Sequence, residues 1–355
     1  MKKRSKTISI GNHKIGNGYS PFIVAEMSGN HNQSLENAIS IVESAAQCGA
    51  HAVKLQTYTA DTMTLDINKG EFMIDDPNNL WKGQSLYQLY EKAFTPWEWH
   101  KPILKRCFEL GIVCFSTPFD SSAIDFLEEL EVPAYKISSF ENTDLPLIRK
   151  ASETGKPIII STGMASLSEL DEAIHTAREA GCKDLILLKC TSSYPATPES
   201  SNISTIPHLR ELFDVQVGIS DHTLGIGVSI ASIAFGATFI EKHFINSRVD
   251  GGVDAEFSLE PKEFKKLVEE SNRAWLSIGK IKYGASKQEE DSKKFRRSLY
   301  IVEDVKAGET LTIKNLRNIR PGLGLKPKYF DEFLGKKIKC DIKKGTPMKW
   351  EYLVQ

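Results

Sequence analysis

None of the six cysteines (Cys48, Cys107, Cys114, Cys182, Cys190 and Cys340) stands in a C-x-x-C pair, and most lie within apolar or helical-looking runs. That excludes a zinc ribbon or a redox motif, so the thiols read as reduced core residues with no disulfide expected. No apolar stretch is long enough to span a bilayer, and the basic start MKKRSKTISIGNHKIGNGYS is not followed by an apolar h-region. The expected address is the cytosol. No glycine-rich dinucleotide fingerprint follows the first strand-like run, which weakens an open nucleotide-binding sheet. An excess of one charge is also missing overall: 45 Lys+Arg stand against 46 Asp+Glu. The balance is uneven, however, because residues 281–355 carry 18 basic and 10 acidic side chains. That tail has neither an aromatic-interleaved RNA motif nor a recognisable DNA-reading helix, so a solvated face or a flap over an anionic substrate is expected in place of nucleic acid.

What the chain does contain is alternation. Short β-branched runs recur as FIVAE (22–26), AVKLQ (52–56), IVCFST (112–117), AYKIS (134–138), PIIIST (157–162), LILLKC (185–190), VQVGIS (215–220) and ATFIEKHF (237–244). Between them lie helical patterns such as SLENAISIVESAAQCGA and SLSELDEAIHTAREAGC, the second with a Ser cap and a Glu at capping-box spacing. Eight strands joined by helices imply parallel βαβ units and a closed (β/α)8 barrel, an α/β TIM barrel, with an open doubly wound sheet as runner-up. Residues 1–20 are expected to form an N-terminal hairpin closing the bottom of the barrel, and 21–282 the barrel itself. An insertion at 60–100, with Trp81, Trp97 and Trp99, reads as a loop over the active face. A polar linker at 283–296 precedes a small domain at 297–355. Within it DVKAGETLTIKNL (304–316) and DIKKGTPMKWEYL (341–353) form a weak repeat, each copy expected as strand, turn, strand and brief helix.

In such barrels the chemistry gathers at the C-terminal ends of the strands, and here those ends are polar. They deliver Glu26, Lys54, Gln56, Thr117, Lys136, Ser139, Glu141, Ser161, Lys189, Ser192, Tyr194, Ser220, His222, Glu241, Lys242 and His243. An unpaired charge inside a barrel costs several kcal/mol, so so many are hard to explain as packing. Lys54 and Lys136 with the neighbouring hydroxyls suit a phosphate or carboxylate; the plainer alternative is that each lysine is a buried stem paired with a carboxylate. A lone histidine at a strand end more often caps or packs. Two on consecutive strands, His222 and His243, suit an exchangeable divalent ion such as Mn, Mg or Co that polarises a carbonyl.

The motifs FIVAEMSGNHN, VKLQT, FSTPFD, YKISS, STGMAS, CTSSYP, GISDHT and EKHF resemble, in order and spacing, the sialic acid synthase family. The tail RRSLYIVEDVKAGETLTIKNLRNIRPGLGL resembles that family's antifreeze-like (SAF, β-clip) domain. AEMSGNHNQSLE, WKGQSLYQLYEKAFTPWEWH and GGVDAEFSLEP are most similar to the branch that makes pseudaminic acid. The resemblance implies a metal-dependent transferase that condenses phosphoenolpyruvate with an N-acetylated amino sugar, for this branch 2,4-diacetamido-2,4,6-trideoxy-L-altrose, to a nine-carbon 2-keto acid and phosphate. It implies that Lys54, Gln56, Thr117, Lys136, Ser139, Ser161 and Ser220 hold phosphoenolpyruvate, and that His222 and His243 hold the metal. Glu26 is then an acid/base, Glu141 and Asp254 face the sugar and Tyr194 lines the pocket. Arg320 reaches a partner's site in a domain-swapped homodimer. Ser192 departs from the family, whose neuraminate synthases have Asn there.

A deoxy sugar needs an apolar contact, and Phe257 in AEFSLEP is the expected one. The alternatives are an N-acetylneuraminate or legionaminate synthase, a class II-like aldolase without phosphoenolpyruvate, or a non-enzymatic sugar-binding protein.

Overall fold

The computed structural model describes residues 6–77 and 80–354. By internal contacts the chain divides into two units, Met1–Gly279 and Lys280–Gln355.

In the first unit, β1 (Ile8–Ile10) and β2 (His13–Ile15) pair as an antiparallel hairpin. Eight parallel strands follow: β3 (Phe22–Glu26), β4 (Ala52–Thr57), β5 (Val113–Pro118), β6 (Tyr135–Ile137), β7 (Ile158–Ser161), β8 (Leu185–Cys190), β9 (Gln216–Ser220) and β10 (Phe239–His243). They close in chain order, with β10 hydrogen-bonded to both β9 and β3. The fold is therefore a TIM barrel and not the open sheet.

The helices form where the sequence carries start signals. In chain order they are α1 (Leu35–Gln47), α2 (Ala60–Met63), α3 (Leu86–Ala93), α4 (Trp97–Glu109), α5 (Ser121–Glu129), α6 (Leu145–Glu153), α7 (Leu167–Glu179), α8 (Thr205–Phe213), α9 (Gly227–Ala234) and α10 (Pro261–Ile278). Ser34 caps α1 and Asp120 caps α5, while Ser166 and Glu169 close a reciprocal capping box on α7.

The segment expected as one long loop over 60–100 is shorter and more regular than that. Trp97 and Trp99 open the barrel helix α4, where Trp97 stacks on Phe126 at 4.6 Å, so only Trp81 of the three tryptophans belongs to the connection. The physical reason is periodicity: WEWHKPILKRCFE buries His100, Ile103 and Cys107 along one helical stripe.

Strand alternation divides the barrel interior along its axis. Phe22, Val24, Ala52, Val113, Phe115, Ala134, Ile159, Ile186, Leu188 and Phe239 form one apolar cluster with Ile8, Ile10 and Ile15 of the hairpin. The hairpin thus closes the floor. Continuing by two residues on the same strands gives Glu26, Lys54, Thr117, Lys136, Ser161 and Glu241, all buried. Gly218 is needed where β9 passes β10, because a Cβ there would lie 2.3 Å from the Phe239 carbonyl oxygen.

In the second unit, β11 (Ser298–Ile301) pairs antiparallel with β12 (Leu316–Ile319), and a short α11 (Phe330–Phe333) follows. The strands expected in each repeat are reduced to single bridged residues, and the two copies, related by an offset of 37 positions, pair antiparallel through Val305 with Ile342 and Thr310 with Lys337. Val305 and Ile342 exchange both backbone hydrogen bonds. Gly308 N–H donates to Ile338 O, and Gly345 N–H donates to Ile301 O. Asp341 accepts from Ala307 N–H and pairs with Lys306, while Asp304 accepts from Lys344 N–H and pairs with Lys343. The unit has a local two-fold, with Leu299, Leu311, Leu316, Phe333, Ile338 and Met348 at its centre. Five of the six cysteines are buried, and Cys340 is exposed.

Candidate active site

The upper layer of the barrel holds two ammonium groups and two carboxylates within a few ångströms. Lys54 Nζ lies 2.5 Å from Glu26 Oε2 and 3.8 Å from Glu241 Oε1, and it donates to Thr117 Oγ1 at 3.1 Å. Lys136 Nζ stands 3.5 Å from the same Glu241 Oε1, to which Ser220 Oγ donates at 3.0 Å. Each lysine is paired with a carboxylate in this structure. Burial alone would force these charges to neutralise, so pairing is what permits them.

The same burial sets their proton affinities. For Glu241, burial opposes ionisation, but the ammoniums of Lys136 and Lys54 and the Ser220 hydroxyl outweigh it and hold the carboxyl below its usual range. For Glu26, burial outweighs Lys54 and, with the repulsion of Glu241, pushes the carboxyl up. Burial likewise pulls Lys136 down. In Lys54 the loss of hydration is outweighed by Glu241 and Glu26, and the ammonium is raised. Of the two carboxylates, Glu26 is the more readily protonated.

Buried oxygens here that lack a hydrogen-bond partner include Glu26 Oε1, Glu241 Oε2 and Ser161 Oγ. Native interiors satisfy nearly all such atoms, so a local group of exceptions marks where a polar ligand sits. Gln56 is one inward step above Lys54 on β4 and is half-buried. Ser139 follows β6, where its Oγ accepts from Gly163 N–H at 3.1 Å. Asn142 donates to the carbonyls of Ser161 and Gly163, tying the β6 and β7 ends together. Glu141 is bonded by the Ser138 hydroxyl, and burial raises its carboxyl.

The histidines form the other half. His222 and His243 have ring centroids 5.3 Å apart, and His243 is the register partner of Glu26. His222 Nδ1 is 3.0 Å from the Thr191 carbonyl, which can only accept, so Nδ1 carries the proton and Nε2 presents its lone pair. His243 Nδ1 is 3.4 Å from an Asp254 carboxylate oxygen. One imidazole is thus oriented by a carbonyl and the other stands beside a carboxylate, partners of the kind that metal-binding histidines use. Among the described residues no group of three or more His, Cys, Asp or Glu converges. Two nitrogen donors fit an open, exchangeable ion position and not a closed structural one.

The walls are aromatic. Phe257 packs against His243 at 4.8 Å and against Tyr194 at 5.4 Å, and Tyr194 lies 4.6 Å from His222. Trp81 donates its indole N–H to the Val253 carbonyl, fastening the β4–α3 connection to the loop that carries Asp254. Asn30 braces that loop too, donating to Phe244 O and Ser258 Oγ while accepting from Asp254 N–H. Gly252 is required beside it, since a Cβ would meet Asn30 Oδ1 at 2.8 Å.

Asn30 is a site residue that sequence reasoning did not select, and Glu241 was among the strand-end candidates but received no role. A signal for Glu241 existed: in EKH, positions 241 and 243 share a strand face and 242 does not. Arg320 lies in the second unit, exposed, just after β12.

Residues 41–283 match the NeuB family and residues 296–354 the SAF domain. The chain is 41% identical over 328 residues to a pseudaminic acid synthase of Campylobacter jejuni subsp. jejuni, covering 92% of this chain and 95% of that one. It is 42% identical over 329 residues to the pseudaminic acid synthase of Helicobacter pylori, covering 92% and 96%. The solved structure of an N-acetylneuraminic acid synthetase from Leptospira borgpetersenii superposes with a TM-score of 0.72 at 31% identity, over 81% of this chain and 95% of that one. With a barrel, a charged upper layer and a small C-terminal unit matching in order, the chain belongs to the NeuB family of phosphoenolpyruvate-dependent nonulosonic acid synthases and carries a SAF domain.

Proposed function

We propose that the protein is a pseudaminic acid synthase, condensing phosphoenolpyruvate with the open-chain aldehyde of 2,4-diacetamido-2,4,6-trideoxy-L-altrose. The observation that carries the reading is the meeting of the Glu26–Lys54–Glu241–Lys136 layer with the His222–His243 pair at one barrel mouth. Relatives named pseudaminic acid synthase at 41–42% identity support the choice of sugar over a legionaminic acid synthase relative at 36%.

Phosphoenolpyruvate binds against Lys54, Gln56, Thr117, Lys136, Ser139, Ser161 and Ser220. Its phosphate and carboxylate take over the ammonium groups that Glu26 and Glu241 neutralise in the free protein. The aldehyde lies towards His222 and His243, which hold a divalent ion such as Mn, Mg or Co; when bound, that ion polarises the carbonyl. Carbon three of phosphoenolpyruvate then forms the new C–C bond to the aldehyde carbon, and holding both reactants in one cleft supplies much of the rate. Water adds at carbon two, the bond from that carbon to the phosphate oxygen breaks, and phosphate leaves. Glu26, buried beside carbon two and more easily protonated than an exposed carboxyl, handles the proton, with Glu141 as second acid/base.

Asp254 and Glu141 face the sugar, while Tyr194 and Phe257 give its methyl an apolar wall. The barrel-top loops also expose Phe140, Met164 and Leu224, each at least 60% accessible. Apolar side chains there support a covered mouth, and we assign the cover to the SAF domain of a second copy, with Arg320 reaching the sugar. No helix among the described residues is long and apolar enough to cross a membrane, in keeping with synthesis in the cytosol from soluble substrates.

The test is to incubate the purified protein with phosphoenolpyruvate, Mn²⁺ and each candidate sugar and to assay phosphate. Release with the trideoxy sugar is expected. Release only with N-acetylmannosamine, or only with the legionaminate precursor, replaces the sugar; no release with any sinks the reading.

A further inference from the structure

Each histidine of the pair is preceded in sequence by one member of a second, separate ion pair. Asp221 precedes His222 and Lys242 precedes His243. Because side chains alternate, Lys242 turns outward from the barrel where Glu241 and His243 turn inward. Lys242 Nζ meets Asp221 Oδ2 at 3.1 Å on that outer side, with both side chains essentially inaccessible. Asp221 is also bonded by Thr223 N–H at 2.9 Å, Thr223 Oγ1 at 2.7 Å and Ser229 Oγ of α9 at 2.5 Å. Lys242 donates in addition to the Thr223 carbonyl, and Asp221 N–H donates to the Glu241 carbonyl.

This is a fully satisfied buried pair with nothing to do in the barrel interior. Apolar residues of similar volume would stabilise such a place as well or better, so stability alone does not account for charges here. What the charges add is direction. The carboxylate has four fixed donors, and through them it ties the end of β9, the turn after it, the start of α9 and β10 into one arrangement. The imidazoles project from those two strand ends, so the pair sets their separation.

We infer that Asp221 and Lys242 are positioning residues that fix His222 and His243 at the spacing an ion requires. The inference rests on the reading of those histidines as ion ligands.

The test uses the ion-free full-length protein and Mn²⁺ alone, with binding followed by electron paramagnetic resonance. Replacing the pair by apolar residues, Asp221→Leu with Lys242→Met, should leave a folded protein of similar melting temperature. Its Mn²⁺ affinity should fall about 10- to 100-fold, the usual loss when a residue orienting a metal ligand is removed. Its affinity for phosphoenolpyruvate without metal should not change. Lys242→Arg, which keeps the charge, should recover most of the loss. A folded double variant with wild-type Mn²⁺ affinity overturns the inference. If the double variant does not fold, Ser229→Ala decides: it removes one donor to Asp221, and unchanged Mn²⁺ affinity there also overturns it. His222→Ala separates the two levels. If it binds Mn²⁺ as the wild type does, the ion site itself is misassigned and the inference falls with it; if it loses Mn²⁺ while the pair variants keep it, only the inference falls.

Discussion

Lys54 bridges two carboxylates that, among the described residues, share no other ammonium: it lies 2.5 Å from Glu26 and 3.8 Å from Glu241, whereas Lys136 pairs with Glu241. Removing it strands Glu26 without a counter-charge in a closed interior. Lys54→Met is expected to lose all activity and to destabilise the protein by about 3–5 kcal/mol, the cost of breaking one side of a buried pair. Urea unfolding checks this, and a variant as stable as the wild type would show the pair to be loosely solvated.

His222→Ala and His243→Ala should each abolish phosphate release while leaving the melting temperature within a few degrees, because neither ring carries the barrel's apolar floor. Treatment with a chelator should do the same to the wild type, and added Mn²⁺ should restore it. Full activity under chelation would exclude the ion from the reaction.

Phe257 stands between His243 and Tyr194 as an apolar wall. In Phe257→Ser the kcat/KM ratio between a sugar with a methyl at carbon six and one with a hydroxymethyl should shift towards the latter by about 10-fold or more, the worth of one apolar contact. An unchanged ratio refutes that wall.

Deleting residues 285–355 is expected to cripple catalysis and dimerisation together, through loss of Arg320 and of cover from water. Sedimentation and a phosphate assay on one preparation decide it; a monomer with normal turnover would overturn the swapped arrangement.

Three imidazoles outside the active centre make acid stability predictable. Burial lowers His31, His51 and His100 to about 4. The unfolded chain titrates them near 6.5, so between pH 6.5 and pH 4 it binds more protons than the folded one. Stability therefore falls as pH drops through that window, by up to about 3 kcal/mol for each histidine, and the slope flattens below 4. His100 Nε2 is 2.8 Å from Thr57 Oγ1, a contact that Gln can also make. In His100→Gln the stability at pH 7 should change little and the slope across the window should drop by one proton. Unfolding free energies measured at pH 7, 6 and 5 check it, and an unaltered slope would place the proton elsewhere.

The barrel was legible in the sequence because its strands alternate and its helices carry their own caps. The polar upper layer was legible for the same reason: Lys54, Thr117 and Lys136 stand two residues beyond apolar inward positions. Glu241 was visible as a polar strand end but received no role, since its importance comes from Lys54 on β4 and Lys136 on β6, partners that only barrel closure brings together. The pairing of Asp221 with Lys242 lies on adjacent strands and escaped for the same cause. Trp97 and Trp99 were misread as loop residues because aromatic content outweighed the helical stripe of His100, Ile103 and Cys107. In the small unit the repeat was visible, but not that each copy takes its hydrogen bonds from the other.

That reciprocal arrangement gives the SAF domain an all-or-none character. A turn at 307–308 finds its acceptor some thirty residues downstream, at Ile338, and the matching turn at 344–345 finds its own still farther upstream, at Ile301. The first half has only the short β11–β12 ladder of its own, and the contacts that join the two copies wait for both to arrive. A nick between residues 320 and 336 leaves two pieces that must reassociate to regain the paired turns, and a lesion at Asp304 is felt first around Lys343 and Lys344, in the opposite copy.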